Sequence, residues 1–253
     1  MELRNKTVLL TGAAGGIGRV IVDALLAEQV EKIIACDISA TALESVFARE
    51  HDRVVAYPLD VSDETAAVAA SEAHPDVDIL INCHGVVRHE SFIEAVDIAD
   101  FRREMEVNFW GQVIMCRAFA GVLAANGGGA MVNFLSPLAY ITYPFCASYC
   151  ASKAACRVLT DSMRAELAAQ GTFVMGVCPG SIDTPMMEQI PLPKSQPEIV
   201  ALALIEGLVN EVEEIWPGAD AQEMRKKFAA DPQAMAKEAA AVLPKVIRDM
   251  QNS

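Results

Sequence analysis

Lysine and arginine are scarce in this 253-residue chain: 20 basic residues face 34 acidic ones, for a formal net charge of −14. Binding to a nucleic-acid backbone needs clustered cations, so the deficit excludes that partner and, for the same reason, an anionic membrane surface. A signal-peptide core is also lacking, because Met1-Glu2-Leu3-Arg4-Asn5-Lys6 runs straight into a strand-like segment. No stretch of apolar residues long enough to span a membrane is free of strongly polar ones. The nearest, Val107 to Ala125, contains Asn108, Gln112 and Arg117 and reads as a buried helix. The 7 cysteines form no CxxC pair, and their odd number and scatter through apolar segments read as reduced thiols of a cytoplasmic protein. The 4 histidines show no ligand spacing with them, so no structural metal is expected.

What is present is apolar and regularly arranged. Hydrophobic residues make up 53% of the chain and charged ones 21%, a composition of globular proteins. Thr7–Leu10, Lys32–Cys36, Arg53–Tyr57, Asp78–Asn82, Ala130–Leu135 and Phe173–Cys178 each read as a strand buried on both faces. Between them lie the helical patterns Ile17–Glu28, Thr41–Glu50, Asp63–Glu72, Ala99–Ala125 and Ser148–Gln170. Such alternation predicts an α/β fold, a doubly wound parallel sheet covered by helices on both faces. No repeat or linker divides the chain, so residues 1–253 are expected to form a single dinucleotide-binding domain. Met186–Pro197, rich in proline, reads as a loop long enough to be a substrate lid. Beyond it, Gln196–Val209 reads as a helix, Glu213–Trp216 as a short extended piece and Ala219–Ala241 as helical, so that 210–253 forms an atypical tail.

Thr11-Gly12-Ala13-Ala14-Gly15-Gly16-Ile17-Gly18 follows the first strand and opens a helix. Glycines there permit a tight turn, close approach of backbone to a pyrophosphate, and close packing of helix on strand. Asp37 closes the second strand, where a carboxylate can bind both adenosine ribose hydroxyls and repel a 2′-phosphate. No Arg or Lys sits at Ala13–Ala14 to welcome that phosphate, so NAD(H) is expected over NADP(H). The plainer reading of Asp37 is a cap for the helix near Thr41. In Leu59-Asp60-Val61, Asp60 can meet the adenine edge, or Asp60 or Ser62 can cap the next helix.

Tyr149-Cys150-Ala151-Ser152-Lys153 puts a phenol and an ammonium at i and i+4 on one helical face. A nearby cation favours phenolate and lowers a pKa that is ordinarily near 10, toward general acid/base work. Tyr57, Tyr140 and Tyr143 have no Lys at that spacing. Ser136, at the end of the fifth strand, can hydrogen-bond the substrate oxygen that exchanges a proton with Tyr149. Alone it reads as a turn residue before Pro137.

These motifs together resemble the short-chain dehydrogenase/reductase family, of the compact single-domain type. The likeness runs over roughly residues 5 to 190. It rests on the TGxxxGxG turn at Thr11–Gly18, the Asn108 helix, Ser136, the YxxxK pair and Pro179-Gly180. The resemblance implies a catalytic tetrad of Asn108, Ser136, Tyr149 and Lys153. In it, Tyr149 is the acid/base, Ser136 orients the substrate oxygen, Lys153 binds the nicotinamide ribose, and Asn108 holds a water of the proton relay. It implies a dinucleotide held by Gly12, Gly15, Gly16, Ile17, Gly18, Asp37, Asp60, Val61, Asn82 and Gly85, with Tyr149 and Lys153. Pro179, Gly180, the Ile182 backbone and Thr184 would flank the nicotinamide. Pro137, Leu138, Phe145, Met186 and Met187 would then line an apolar pocket for a small alcohol or carbonyl substrate. Asn108 also reads as a buried amide bonded to backbone, and Pro179-Gly180 as a turn.

Two departures stand out. Where the family usually has Asn-Asn-Ala-Gly, this chain has Asn82-Cys83-His84-Gly85. His84 can be a pH-sensitive contact near the cofactor, but a packed histidine satisfied by backbone is the preferred reading. Residues 210–253 replace the glycine-containing strand that joins a tetramer in many members. A homodimer through the helices around Trp110 and Val158 is therefore expected, with a tetramer as the alternative. Rival readings are an NADP(H)-preferring carbonyl reductase, a nucleotide-sugar epimerase or dehydratase of the extended branch, and a non-enzymatic NAD(H)-binding protein. The spacing of the glycine turn and the short chain disfavour the epimerase, and the intact Ser136, Tyr149 and Lys153 disfavour the binding protein.

Overall fold

The computed structural model describes residues 1–47, 52–90, 93, 97–188 and 190–251. Positions 48–50 of the expected Thr41–Glu50 helix, 189 of the expected lid and 252–253 of the tail lie outside the described residues. Strand β1 (Thr7–Thr11) feeds helix α1 (Gly16–Ala27), and β2 (Lys32–Asp37) feeds α2 (Ala40–Phe47). Then follow β3 (Val54–Pro58), α3 (Glu64–Ala73) and β4 (Ile79–Asn82). Helix α4 (Ala99–Glu104) continues through a π-helical turn, Met105–Trp110, into α5 (Gly111–Ala125). The sheet resumes with β5 (Ala130–Phe134), α6 (Ala147–Leu167) and β6 (Phe173–Val177). Helix α7 (Glu198–Val209), β7 (Glu214–Ile215), α8 (Ala219–Ala230) and α9 (Pro232–Gln251) complete the chain.

All seven strands lie in one parallel sheet of order β3-β2-β1-β4-β5-β6-β7. The alternation of side chains along β1 builds two cores. Val8 and Leu10 join Ile21 and Leu25 of α1 and Leu204 of α7 on one face. Leu9 joins Leu80 of β4 and Met115, Phe119 and Leu123 of α5 on the other. The stretch Ala99–Ala125 is long and apolar enough to cross a membrane by length and composition alone. Its Met115, Phe119 and Leu123 are fully buried against the sheet, as in the core helix expected from the sequence. The chain runs outward from β1 to β3 and then returns to β4 on the other side of β1. That reversal opens a crevice at the carboxyl ends of β1 and β4.

Three local expectations change. Arg53–Tyr57 does not make a strand buried on both faces: β3 is the sheet edge, and Val55 is 40% exposed. The cap of α3 is neither Asp60 nor Ser62 but Asp63, whose carboxylate accepts from the Thr65 and Ala66 amides. Asp37 accepts from Ser39 N at 3.3 Å, beside α2, and Ser39 Oγ itself accepts from Ala42 N at 3.1 Å.

Helix α1 packs on the glycine turn through Gly18, where an added Cβ would lie 2.8 Å from Ala13 Cα. Gly121, exposed on α5, has nothing within 4 Å of that position. The two substitutions to Ala should therefore have opposite signs. Gly18→Ala should lower the unfolding free energy by about 1–3 kcal/mol through overpacking. Gly121→Ala should raise it by about 0.5–1 kcal/mol through helix propensity, both read from urea midpoints at unchanged m-value.

Candidate active site

The crevice is a groove of about 330 Å³ lined by the glycine turn, the ends of β2 and β3, and the segment after β4. Gly12 adopts φ +67°, and a Cβ there would lie 3.0 Å from the His84 backbone. A Cβ on Gly16 would meet Thr184 Cγ2 at 2.6 Å, so Thr184 closes over the turn from the far side of the groove. Helix α1 has Gly15 as its N-cap, with no side-chain cap and no acidic residue in its first turn. Its free N–H groups and positive end therefore face the groove, a donor set suited to a pyrophosphate. Asp37 Oδ2 accepts from Ala14 N at 3.2 Å, which ties the end of β2 to the turn.

Of the residues expected to hold a dinucleotide, Gly12, Gly15, Gly16, Ile17, Gly18, Asp37, Asp60, Val61, Gly85 and Thr184 line this groove. Asp60 accepts from Ser62 N at 2.9 Å and Ser62 Oγ at 2.6 Å. Burial alone would raise its pKa, but these bonds and Arg103 outweigh burial and hold it below the ordinary value. Asn82 does not present its side chain to the groove. It is buried and donates to Asn133 Oδ1 at 3.0 Å and toward Cys116 Sγ at 3.3 Å, joining β4 to β5 and α5. Ile182 is buried and bridges Ser195 in parallel. That pairing fastens the Met186–Pro197 loop, with Ser195 N donating to Ser181 O at 2.8 Å. Among the residues expected in the substrate pocket, Pro137 and Phe145 are buried, while Met186 lies on the dinucleotide groove. Arg19 and Arg103 also line the groove, and sequence reasoning missed both. The only signal for Arg19 was its place directly after Gly18.

Tyr149 and Lys153 lie one turn apart on α6, with Lys153 Nζ 5.8 Å from the phenol ring centroid. Lys153 is buried and donates to the Phe134 carbonyl at 2.8 Å. Ser136 Oγ accepts from Leu138 N at 3.1 Å, which leaves its proton for the Tyr149 phenol, to which it is hydrogen-bonded. Burial dominates Tyr149 and pushes its pKa above the ordinary tyrosine value, while the Ser136 bond pulls the other way. The i, i+4 spacing implies that the Lys153 charge lowers this pKa; in the folded chain desolvation outweighs every lowering influence. Burial likewise lowers Lys153.

Asn108 sits in the π-helical turn, a distortion frequent at functional sites. Its Oδ1 accepts from Val86 N at 2.8 Å, and its Nδ2 donates to Val86 O at 2.9 Å and Ser152 Oγ at 3.0 Å. The side chain is thus the buried amide of the plainer reading, while the Asn108 backbone carbonyl accepts from the Cys156 thiol at 3.1 Å. Gly85 lies between the Asn108 and Lys153 side chains: a Cβ there would be in ordinary contact with Asn108 Oδ1 at 3.4 Å and Lys153 Nζ at 3.5 Å. His84 is half-buried at the groove floor and is satisfied as the preferred reading expected. It bonds the Val107 carbonyl of the π-turn, and its Nδ1 lies 2.7 Å from Thr11 Oγ1. With Nε2 carrying the proton toward Val107, Nδ1 accepts from Thr11. Burial first and the Lys153 charge second bring its pKa down to about 3, so the imidazole is neutral.

A comparison with known families and proteins agrees with this geometry. The short chain dehydrogenase family model matches residues 6–194. A "Probable oxidoreductase EphD" of Mycobacterium tuberculosis is 38% identical over 184 residues, which are 70% of this chain but 31% of that protein. The chain thus spans about a third of that relative. The 2-(R)-hydroxypropyl-CoM dehydrogenase of Xanthobacter autotrophicus is 31% identical over 209 residues, covering 78% of this chain and 83% of its own. Among solved structures, a short chain dehydrogenase of Burkholderia cenocepacia in complex with NADP superposes with a TM-score of 0.89. It is 36% identical and covers 94% of this chain and 99% of its own. Glycine turn, parallel sheet and Ser-Tyr-Lys geometry, together with the match over residues 6–194, place the chain in the short-chain dehydrogenase family.

Proposed function

We propose that this protein is an NAD(H)-dependent oxidoreductase that interconverts a small secondary alcohol and its ketone, with Tyr149 as the acid/base. The observation that carries the reading is a half-buried Tyr149 one helical turn from the buried Lys153, whose Nζ lies 5.8 Å from the phenol ring, with the Ser136 hydroxyl acting on the same phenol. A bound nicotinamide would supply hydride-transfer chemistry toward the carbon that bears the substrate oxygen. Tyr149 moves the proton on the substrate oxygen, taking it in oxidation and giving it in reduction. Ser136 holds the same oxygen by its hydroxyl, and Lys153 favours the phenolate and binds the ribose. Asn108 holds the segment after β4 in place through Val86 and is read as the residue that holds the water of the relay.

Asp37 supports NAD(H), because its carboxylate stands on the groove where a 2′-phosphate would have to enter. An NADP(H) preference has its own support: Arg19 lines the same groove, and the Burkholderia cenocepacia relative was solved with NADP. The Met186–Pro197 loop is read as the substrate lid. The 7 free thiols fit a reducing, cytoplasmic setting. Trp110 and Val158, 49% and 58% exposed, supply an apolar surface for a homodimer, with a tetramer as the alternative.

Three measurements test this reading. Tyr149→Phe should lower kcat by about 100- to 10,000-fold with NADH binding nearly unchanged, and surviving activity would remove Tyr149 from the mechanism. Because Tyr149 titrates above its ordinary value, it stays protonated through neutral pH. Ketone reduction, which uses the protonated form, should be flat from about pH 6 to 9, and alcohol oxidation should rise about tenfold per unit. A flat oxidation profile would contradict the shift. Fluorescence titration should show NADH binding at least about tenfold tighter than NADPH, with the ratio collapsing in Asp37→Ala. Tighter NADPH binding that is lost in Arg19→Ala would establish the second reading.

A further inference from the structure

The segment after α7 reaches both walls of the catalytic cleft. It runs beside the exit of β6, where Gly176 N donates to Glu213 O at 2.9 Å, Cys178 N to Ile215 O at 2.9 Å and Gly180 N to Pro217 O at 3.0 Å. Along this strap two carboxylates six residues apart face different parts of the site. Asp220 Oδ2 accepts from Ser181 N at 2.6 Å, inside the Pro179–Thr184 turn. Its other oxygen is buried with no protein partner among the described residues. Gly180 lies against this carboxylate so closely that a Cβ there would fall 2.6 Å from Oδ2. Gly218, at φ +106°, turns the chain so that Asp220 can reach it. A carboxylate in so tight a place, bonded to a backbone amide, fixes that amide's position.

Glu214 acts on the opposite wall. Its Oε1 accepts from Trp216 Nε1 at 2.7 Å and its Oε2 from the Tyr140 phenol, four residues beyond Ser136. Tyr140 is held further by Trp216, Phe228 and Arg157 against its ring. Met224 and Phe228 of α8 and Met235 of α9 pack with Ile141, Tyr140 and Tyr143, on the connection between Ser136 and Tyr149. The segment from Glu213 onward is therefore built into the walls of the site.

We propose that Asp220 and Glu214 are positioning residues of the catalytic cleft, Asp220 setting the Pro179–Thr184 turn and Glu214 setting the Ser136–Tyr149 connection. Ser181 stands three residues before Thr184, which closes over Gly16, so a displaced Ser181 shifts the nicotinamide wall of the groove. The inference rests on the acid/base reading of Tyr149, but its first readout, dinucleotide affinity, does not depend on that reading.

The test uses Trp110→Phe as background, which leaves Trp216 as the sole tryptophan and its emission as a reporter of the strap. NADH dissociation constant, kcat and Tm are measured for Asp220→Ala, Asp220→Asn and Glu214→Gln. Asp220→Ala should weaken NADH binding and lower kcat by about tenfold each, as for a sub-ångström misplacement. Asp220→Asn, whose amide oxygen still accepts from Ser181, should recover both to within about threefold. Glu214→Gln should shift Trp216 emission and lower kcat by about tenfold with NADH affinity unchanged, because it moves only the Ser136 wall. A fall in Tm with NADH affinity and kcat within about twofold in Asp220→Ala and Glu214→Gln would make both residues merely structural and overturn the proposal. Should Asp220→Ala fail to fold, Gly180→Ala takes its place, since its Cβ would displace the carboxylate; unchanged NADH affinity there overturns the Asp220 role. If Tyr149→Phe stays active while Asp220→Ala loses NADH affinity, the acid/base reading falls and the Asp220 role stands.

Discussion

Helix α1 can seat on the glycine turn after β1 only because residue 18 has no side chain, and the groove follows from that contact. With Gly18 seated on Ala13, the first turn of α1 is held at the mouth of the crevice and its unpaired N–H groups point outward. Gly16 then leaves room for Thr184 to arrive from β6, and Gly12 leaves room for the His84 backbone. The site is thus shaped by missing Cβ atoms at places where separate elements meet. Each such glycine costs backbone entropy on folding. The cost is offset where the closeness it permits buries neighbouring strands and helices, as it does across this sheet.

Desolvation governs the chemistry inside that shape. Burial acts on Tyr149 and Lys153 in opposite directions on the pKa scale, yet toward one result, the neutral form of each. The hydrogen bond from Ser136 is what pulls Tyr149 back. Proton position on the phenol therefore depends on a neighbouring hydroxyl as well as on burial. His84 shows the same balance with a structural outcome, since as a neutral ring it can accept from Thr11 and donate to Val107 at once. It thereby links the glycine turn to the π-turn that carries Asn108.

Features set by local geometry were legible in the sequence. The glycine turn, the Tyr149–Lys153 pair and the five strands β1, β2, β4, β5 and β6 each declare themselves within a few residues, because turn, helix and strand periods fix their spacing. Val54-Val55-Ala56 looks like any buried strand, and only its place at the end of the strand order exposes it. The π-turn at Asn108 is likewise not marked by glycine or proline. The Ser181–Asp220 and Tyr140–Glu214 bonds span 39 and 74 residues, so no local pattern announces them. Even Asp37 and Asp60, which line the groove, gave no hint that their oxygens are shared with Ala14, Ser39 and Ser62.

The strap at β7 also bears on the order in which the molecule becomes competent. Every candidate acid, base and cofactor contact lies before α7, within the part of the chain made first. The carboxylates that brace both cleft walls arrive only with Glu214 and Asp220, and β7 can pair only with a β6 already formed. Contacts of such long sequence separation form slowly and late. A nascent chain would therefore hold its catalytic side chains before the frame that aligns them, and maturation of the site would wait on the last strand.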